Sequence, residues 1–305
     1  STSSLFAEII EQAIPFIIID AGIQLFYLVD QYTFHPMIAG LVSASSDMIE
    51  SWYALFALNA NKLIMIIVSL ASAMAVTAIP LLSAAHTQRD YRSIAKQISN
   101  ILDLFLFVMI PASFGMAAIA TPIYTIFYSY DPLGSSVLYL SSLTAISLGL
   151  FTVLMAILQG LSENGLAIKY LMLGLIIKAI LQYPMILMFK VYGPLVSTNL
   201  GMLAIILLAL KHLEISYDFN LNRTGRRFVG ITTFSIGMFL VVSGVESILE
   251  LFLSPARRFP AFAIVLIAVF AGVLFYGYVS VKTHLAQKIL GSKVTRILDK
   301  LHINV

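Results

Sequence analysis

Three polar residues with helical spacing lie in an otherwise apolar segment near the start of the chain. Asp20 and Gln24 are four residues apart, and Gln31 follows seven residues later, within the run FAEIIEQAIPFIIIDAGIQLFYLVDQYTF. At about 100° per residue these side chains share one helix face, and the opposite face carries Ile, Leu, Phe and Val. A carboxylate at membrane depth is costly unless it faces protein or water. The pattern predicts a helix with a lipid side and a wet side that can receive a polar ligand.

A second polar cluster lies in the run FALNANKLIMIIVSL. Asn59 and Lys62 are three residues apart, so they share a helix face. Lys62 lies about nine residues, or roughly 14 Å, inside the outer end of its segment, which is deep for a lysine that reaches outward. An unpaired lysine in a cavity suits an anionic group such as a pyrophosphate. The alternative is a structural role in helix packing, which is the commoner role of an intramembrane Asn.

Lys178 is the third intramembrane candidate, near the centre of a later apolar segment, and Gln182 follows it by one turn. Its depth is similar to that of Asp20, so we predict an ion pair between Lys178 and Asp20. Asp30 is at a depth comparable with Lys62 and is assigned to the membrane interface. A lysine–aspartate pair inside a membrane can simply hold two helices together, or it can take part in function. Both interpretations are open at this point.

The composition is that of a helical membrane protein that crosses the bilayer several times. Of 305 residues, 60% are hydrophobic and 11% are charged, and the mean hydropathy is +0.95, whereas soluble domains carry about 25% charged residues. A spanning helix needs about 20 mainly apolar residues, and eight segments qualify. They cover 6–29, 53–82, 98–120, 135–160, 165–189, 191–211, 228–250 and 259–283. The stretch 121–134 is predicted to be an interfacial turn.

Basic residues are concentrated on one side of these segments. Twelve Lys and Arg follow the second, sixth and eighth segments, three lie on the other side, and three lie inside helices. Because cytoplasmic loops are enriched in Lys and Arg, we expect a cell-membrane protein with both termini in the cytoplasm. Contact with anionic lipid head groups accounts for the basic segments, so no nucleic-acid partner is expected.

Motifs of enzymes and metal sites are missing from the sequence. There is no cysteine, no HExxH, no P-loop, no GxSxG and no DxD motif. His35 and His86 stand alone at loop positions. We therefore expect no catalytic residues, no metal and no cofactor.

Two long runs resemble the multidrug/oligosaccharidyl-lipid/polysaccharide exporter superfamily. They are IPFIIIDAGIQLFYLVDQYTF and ALFALNANKLIMIIVSLASAMAVTAIPLLSAA, and the hairpin ILQG-LSENG supports them. The closest branch is the stage V sporulation protein B-like group of polysaccharide exporters and lipid II flippases. The resemblance implies helices seven to fourteen of a fourteen-helix protein, that is, the C-terminal lobe of a MATE-like fold plus two extra helices. The implied domains are a six-helix lobe over 1–212, a basic cytoplasmic loop over 213–227, and a final two-helix pair with a basic tail over 228–305.

The same resemblance implies alternating access of two lobes around a central cationic cavity that takes a pyrophosphate-sugar head group. The lipid tail stays in the bilayer, in a groove beside the last two helices. The first two helices of each lobe line the cavity, which places the following residues on its wall: Asp20, Gln24, Gln31, Asn59 and Lys62. The N-terminal six-helix lobe of the family is missing from this chain and is an implied partner, together with membrane lipids and the lipid-linked oligosaccharide.

Relatives with a sodium site in this lobe use acids and amides from the counterparts of the first, fifth and sixth segments. Here Asp20 is present, but the fifth segment offers Lys178. We therefore expect the Lys178 ammonium to take the place of the cation, as a coupling residue or a fixed counter-ion.

The leading interpretation is a flippase for an undecaprenyl-pyrophosphate-linked cell-wall precursor, lipid II or a polysaccharide repeat unit. A cation-coupled multidrug exporter of the MATE type is the alternative in the same superfamily, and it would favour acids over Lys62 in its cavity. A membrane enzyme acting on the same lipid carrier usually needs large outer loops with catalytic Arg or His. The longest outer loop here, 30–52, has no Lys or Arg and only His35. A scaffold without transport activity would not need Lys62 inside a helix.

Overall fold

The computed structural model describes residues 2–303, and these residues are almost entirely α-helical, with no strand among them. The helices are α1 (Thr2–Asp20), α2 (Gly22–Ala39), α3 (Ser46–Ala54), α4 (Asn61–Thr87), α5 (Tyr91–Ala118), α6 (Ala120–Phe127), α7 (Pro132–Gly160), α8 (Asn164–Phe189), α9 (Gly193–Tyr217), α10 (Leu221–Glu250), α11 (Arg258–Lys282), α12 (Leu285–Leu290) and α13 (Ser292–Lys300). A π-helical turn (Leu55–Ala60) joins α3 to α4, and a 3-10 turn (Lys190–Tyr192) joins α8 to α9. The predicted all-α class is confirmed.

Seven helical runs of the described residues are long and apolar enough to cross a membrane. One of them, Asn164–Tyr217, is 54 residues long and contains both α8 and α9. After the 3-10 turn, α9 runs back along α8. The two helices meet where Gly174 of α8 lies directly against Gly201 of α9. The seven runs therefore hold eight long helices, which is the number that the apolar segments predict.

Three predicted boundaries are wrong. The first apolar segment does not end at residue 29: a break at Ala21 separates α1 from α2, and α2 continues to Ala39. The predicted interfacial turn over 121–134 contains the helix α6, so only 128–131 connects α6 to α7. The predicted basic loop over 213–227 is also mostly helical, since only 218–220 separates α9 from α10. In each case polar residues that indicate a loop lie on a helix whose other face is apolar.

The chain forms two compact units. The first contains α1 to α3, Val68–Ile98, Ser147–Phe219 and hence α8 and α9; the second contains Asn59–Ile67, Ser99–Ile146 and α10 to α13. A buried stripe on α2 packs in the core of the first unit, and a cluster around Met238 and Val242 packs in the core of the second. The boundary predicted at 212/213 groups helices by their order in the chain. The compact units are groups of residues in contact and do not test that boundary, so it stays a prediction.

Several long helices present apolar side chains outward, as membrane helices do. In the most apolar window of each helix, the share of buried residues is 6% for α1, 22% for α10 and 28% for α11, whereas it is 67% for α7. Large side chains such as Phe259, Phe270 and Val273 of α11 are exposed. Lipid tails are as apolar as these side chains, so their exposure has no hydrophobic cost in a bilayer.

Two glycines allow α8 and α9 to approach closely. A methyl group on Gly201 would lie 2.7 Å from the carbonyl oxygen of Gly174 and 2.8 Å from Cε1 of Phe26. Real Cβ atoms do not approach other atoms so closely, and the nearer neighbour is backbone, which cannot rotate away. Small residues at such a crossing let two membrane helices pack backbone against backbone.

We expect Gly201→Ala to destabilise the protein by about 1–3 kcal/mol, because the added methyl group overpacks the crossing of α8 and α9. Gly277→Ala is the matched control, since a Cβ at Gly277 of α11 meets nothing within 4 Å. The control should be neutral or stabilising by up to about 1 kcal/mol, the helix-propensity gain of Ala over Gly. Thermal unfolding in detergent micelles measures both. Equal midpoints for the two variants would contradict the close crossing.

Candidate functional site

The side chain of Lys178 ends in a buried cluster of oxygen atoms within the first unit. Its ammonium Nζ donates to Oδ1 of Asp30 at 2.5 Å and to Oε1 of Gln182 at 3.0 Å. It also donates to the carbonyl oxygen of Pro194 and to Oγ of Ser197, each at 2.9 Å. Lys178 and Gln182 have no exposed surface, and Asp30 is 6% exposed. The three protons of the ammonium are thus shared among four oxygens in a site closed to solvent.

The amide of Gln182 ties the acceptors of this cluster to one another. Its Nε2 donates to Oδ1 of Asp30 at 2.8 Å and to Oγ1 of Thr33 at 3.2 Å, and its Oε1 accepts from Oγ of Ser197 at 2.6 Å. Each of these polar groups therefore has a partner. A buried charge is tolerated only when it is paired and hydrogen-bonded, and this network meets that condition.

Three helices hold the cluster in place. Lys178 and Gln182 are four residues apart on α8, so they lie on the same face. Pro194 and Ser197 lie in the first turn of α9, directly after the 3-10 turn. The backbone approach at Gly174 and Gly201 brings these two helices close enough for the ammonium to reach both. Asp30 comes from α2, which packs against α8 and α9.

The predicted ion pair between Lys178 and Asp20 is wrong, because Lys178 pairs with Asp30. Asp20 is exposed at the end of α1, ten residues before Asp30 in the chain. At about 1.5 Å per residue that separation is roughly 15 Å along a helix. Since α2 extends to Ala39, Asp30 lies in the middle of a helix, on its buried side.

The signal that identifies Asp30 is present in the sequence. The buried stripe of α2 has one residue at every fourth position: Gly22, Phe26, Asp30, Phe34 and Ile38. Side chains four residues apart share a helix face. An acid in the middle of an otherwise apolar stripe must be buried with it, and a buried acid needs a cation. The stripe therefore marks Asp30 as a buried acid, but it does not say which of the lysines inside the apolar segments is its partner.

Asp20 lines a separate cavity of 430 Å³ in the first unit, between α1, α2, α4 and α7. The polar side chains around this cavity, besides Asp20, are Ser72, Thr152 and Gln159. Nε2 of Gln159 is buried and has no hydrogen-bond partner among the described residues. The cavity therefore offers one carboxylate and one unpaired amide donor to a polar ligand.

Gln24 and Gln31 lie on the exposed surface of α2. The shared polar face that their spacing predicts thus carries exposed side chains from Asp20 to Gln31. Neither Gln24 nor Gln31 forms a hydrogen bond with another described residue. Such a surface is unsuited to lipid and suited to water or to a polar partner.

Asn59 has a structural role in the second unit. Its Nδ2 donates to the hydroxyl of Tyr124 at 3.0 Å, and its carbonyl oxygen accepts from the hydroxyl of Tyr128 at 2.9 Å. Burial raises the pKa of the Tyr128 phenol above its ordinary value. Asn59 lies within the π-helical turn (Leu55–Ala60), and π-helical turns inside longer helices are frequent at functional sites.

Lys62 lies three residues after Asn59 on α4, and its side chain is exposed. Within the part of the chain that the structure describes, no hydrogen bond or ion pair engages this ammonium. The same protein thus contains two kinds of intramembrane lysine, one fully paired and one available to an anion. The five residues predicted for the cavity wall are divided between the units: Asp20, Gln24 and Gln31 belong to the first, and Asn59 and Lys62 to the second.

The second unit also contains an apolar cavity of 560 Å³ beside α10 and α11. Its wall comes mainly from α5, α10 and α11 and includes Pro111, Gly115, Met238, Gly272 and Tyr276. The hydroxyl of Tyr276 is engaged by the carbonyl oxygen of Phe107 at 2.8 Å, so it presents no free polar group. A cavity of this kind suits an aliphatic chain.

Comparison with known proteins finds similarity to lipid II flippases. No family model matches the chain. It is 32% identical over 311 residues to lipid II flippase MurJ of Bacillus subtilis (strain 168), a match that covers 98% of this chain and 56% of that protein. Among solved structures, lipid II flippase MurJ in an inward closed conformation shares the fold with a TM-score of 0.65 and 16% identity, over 91% of this chain and 55% of that one. The chain spans about half the length of each, and the resemblance predicted from its sequence is confirmed.

We expect Lys178→Met to destabilise the protein by about 3–5 kcal/mol, because it leaves the Asp30 carboxylate buried without a cation. Lys169→Met is the control, since Lys169 lies exposed on the same helix. The double variant with Asp30→Asn should recover a large part of the loss, because it removes the uncompensated charge. Thermal unfolding in detergent of the wild type, the single variants and the double variant measures the coupling. If Lys178→Met unfolded with the midpoint of Lys169→Met, the network would not stabilise the fold.

Proposed function

We propose that this chain, a relative of the lipid II flippases in sequence and in fold, serves in flipping an undecaprenyl-pyrophosphate-linked cell-wall precursor across the cell membrane. The precursor is lipid II or a polysaccharide repeat unit. The observation that carries the proposal is the 32% identity with lipid II flippase MurJ of Bacillus subtilis over 98% of the chain. The cycle is alternating access, in which the protein moves the lipid without forming or breaking a covalent bond.

Lys62 supplies the charge that binds the pyrophosphate. Its ammonium is exposed, has no partner among the described residues and lies on the same helix face as Asn59. Asn59 is fixed by Tyr124, so its amide offers a defined polar surface beside the lysine. In the first unit, Asp20, Gln24 and Gln31 are exposed polar side chains, which suit water or a polar partner.

The lipid tail occupies the apolar cavity of the second unit beside α10 and α11. The cavity volume of 560 Å³ holds part of an isoprenoid chain, and its lining is apolar. This arrangement allows the tail to stay in the bilayer side of the protein while the head group crosses a polar path. A multidrug exporter would have no need to separate a head group from a tail in this way.

The exposed polar face of α1 and α2 also supports a protein partner. α1 carries Glu8, Glu11 and Asp20, all of them exposed, in a helix of which little is buried. The distribution of lysine and arginine supports a cytoplasmic location of both termini. We propose that a second lobe of helices packs near this face, as expected for relatives of which the chain spans about half the length.

Lys178 acts as a fixed counter-ion in the proposed cycle. Its ammonium, Asp30, Gln182 and Ser197 form a closed site in which the positive charge is part of the protein. The pair links α2 to the α8–α9 hairpin, so these helices move together as a rigid element. This role replaces the predicted coupling between Lys178 and Asp20.

We expect Lys62→Ala, in the complete gene product that contains this chain, to weaken binding of an undecaprenyl-pyrophosphate-linked sugar on the order of tenfold or more. A charge-assisted hydrogen bond to phosphate contributes about 1.5–3 kcal/mol, which converts to that factor. Lys62→Arg should keep most of the affinity because it keeps the charge. Native mass spectrometry of the purified protein with the lipid measures the bound fraction.

Lys169→Ala is the matched control, since it removes an exposed lysine from α8. It should bind as the wild type does. Equal binding by Lys62→Ala and Lys169→Ala would make Lys62 a structural residue and would favour the multidrug exporter. Failure of the wild type to bind the lipid at all would reject the flippase proposal itself.

A further inference from the structure

A basic pocket lies in the second unit, where α10 begins and α11 ends. It has a volume of 370 Å³, within the range of about 300–1,000 Å³ that is typical of small-ligand sites. Its lining residues come from α10, the end of α11 and α12: Arg223, Arg226, Arg227, Gly230, Phe234, Thr283, Leu285 and Lys288. None of these residues belongs to the proposed path of the substrate.

The positive charge in this pocket exceeds the negative charge beside it. Nη2 of Arg223 lies 3.3 Å from Oδ2 of Asp103, and Arg227 is also within electrostatic range of this carboxylate. Asp103 is 3% exposed. The pocket thus has four cations, since Arg226 and Lys288 line it together with Arg223 and Arg227, and one carboxylate lies beside them. In the part of the chain that the structure describes, Arg226 and Lys288 form no ion pair.

Besides Oδ1 of Asp103, which is buried without a hydrogen-bond partner among the described residues, this region holds an unsatisfied donor on Arg227. Its Nη1 is buried and has no hydrogen-bond partner among the described residues. A buried guanidinium nitrogen without an acceptor is costly, and such groups are normally satisfied by protein, water or an ion. An anionic oxygen in the pocket would supply the missing acceptor. Arginine donors are arranged in a fork that matches the oxygens of phosphate and carboxylate.

The remaining walls point to a lipid as the source of that oxygen. Arg226, Gly230 and Phe234 are spaced four residues apart, so they lie along one face of α10. Phe234 is about 12 Å further into the apolar part of the helix than Arg226. Leu285 adds a second apolar wall. The pocket is therefore cationic at the end of the helix and apolar toward the membrane interior, which is the polarity of a phospholipid at the interface.

The segment after the pocket favours the same membrane level. α13 carries Lys293 and Arg296 together with exposed Ile297, a combination of basic and apolar faces typical of helices that lie on a membrane surface. Anionic lipids attract basic residues next to a membrane helix. A soluble phosphate compound would have no use for the apolar wall around Phe234.

We propose that this pocket binds the phosphate of an anionic phospholipid, with Arg226, Arg227 and Lys288 on the phosphate and the start of an acyl chain along Phe234. The site is separate from the flippase proposal, since it needs neither Lys62 nor a pyrophosphate substrate. It places a structural lipid between the end of α11 and the start of α10.

The test compares two double variants that each remove two positive charges. Arg227→Gln with Lys288→Gln alters the pocket, and Lys293→Gln with Arg296→Gln alters α13 outside it. Purified protein in detergent is titrated with phosphatidylglycerol and with phosphatidylcholine and is followed by native mass spectrometry. We expect the pocket variant to lose about tenfold or more in phosphatidylglycerol binding and the α13 variant to stay within about twofold of the wild type. Phosphatidylcholine should bind more weakly to all three.

Three results would overturn the proposal. Equal weakening in both variants would indicate diffuse attraction of lipid to basic residues. No preference of the wild type for phosphatidylglycerol would exclude an anion site. Displacement of phosphatidylglycerol by millimolar glycerol phosphate would assign the site to a soluble phosphate compound. Thermal unfolding without added lipid checks the fold of each variant, and Arg226→Gln alone serves if the double pocket variant does not fold.

Discussion

The buried contact between Lys178 and Asp30 is the constraint on which the first unit depends. Two opposite charges removed from water are stable only in good geometry with all their hydrogen bonds made. Four oxygens around one ammonium meet this requirement, and they come from three helices. The constraint fixes the rotation of α2, because a turn of about 100° would carry Asp30 away from the cluster. It also fixes the register of α8 against α9, since Lys178 must reach both Pro194 and Ser197.

The glycines at the crossing of α8 and α9 serve the same constraint. Lysine is long and flexible, yet here it has to end among backbone and side-chain oxygens of the neighbouring helix. Gly174 and Gly201 remove the side chains that would hold the two backbones apart. The polar cluster and the glycine contact are therefore two parts of one arrangement, in which close packing satisfies a buried charge.

Charges at membrane depth fall into two classes in this protein. Lys178 and Asp30 neutralise each other inside the first unit, whereas Lys62 of the second unit and Asp20 of the first are exposed. A buried pair stabilises helices, and an exposed charge in a membrane protein needs water, a ligand or another protein. In the proposed flippase, the exposed charges face the substrate, and the buried pair keeps its helices rigid. The basic pocket at the start of α10 adds a third situation, in which cations outnumber acids.

Composition and hydropathy alone determine that the chain is a helical membrane protein with several spanning segments, because apolar segments of about 20 residues have few other stable forms. The runs around Asp20 and Lys62 were enough for the resemblance to the flippase superfamily. The sequence also placed Lys178 and Gln182 on one face. The partner of Lys178 does not follow from the sequence, because the apolar segment that ends at residue 29 continues as a helix to Ala39 and so changes the depth expected for each acid.

Only the tertiary structure decided which intramembrane charges meet. Asp20 and Asp30 are both acids on the first apolar segments, and their distance in the chain does not say which one faces α8. The stripe of Phe26, Asp30 and Phe34 indicates that Asp30 is buried. Which cation it meets depends on the helix that packs against this stripe. Likewise, Arg223, Arg226 and Arg227 look like a basic loop in the sequence, and the pocket exists because α11 and α12 fold back against the start of α10. Local pattern fixes helices and their faces; packing between helices distant in the chain fixes which faces meet.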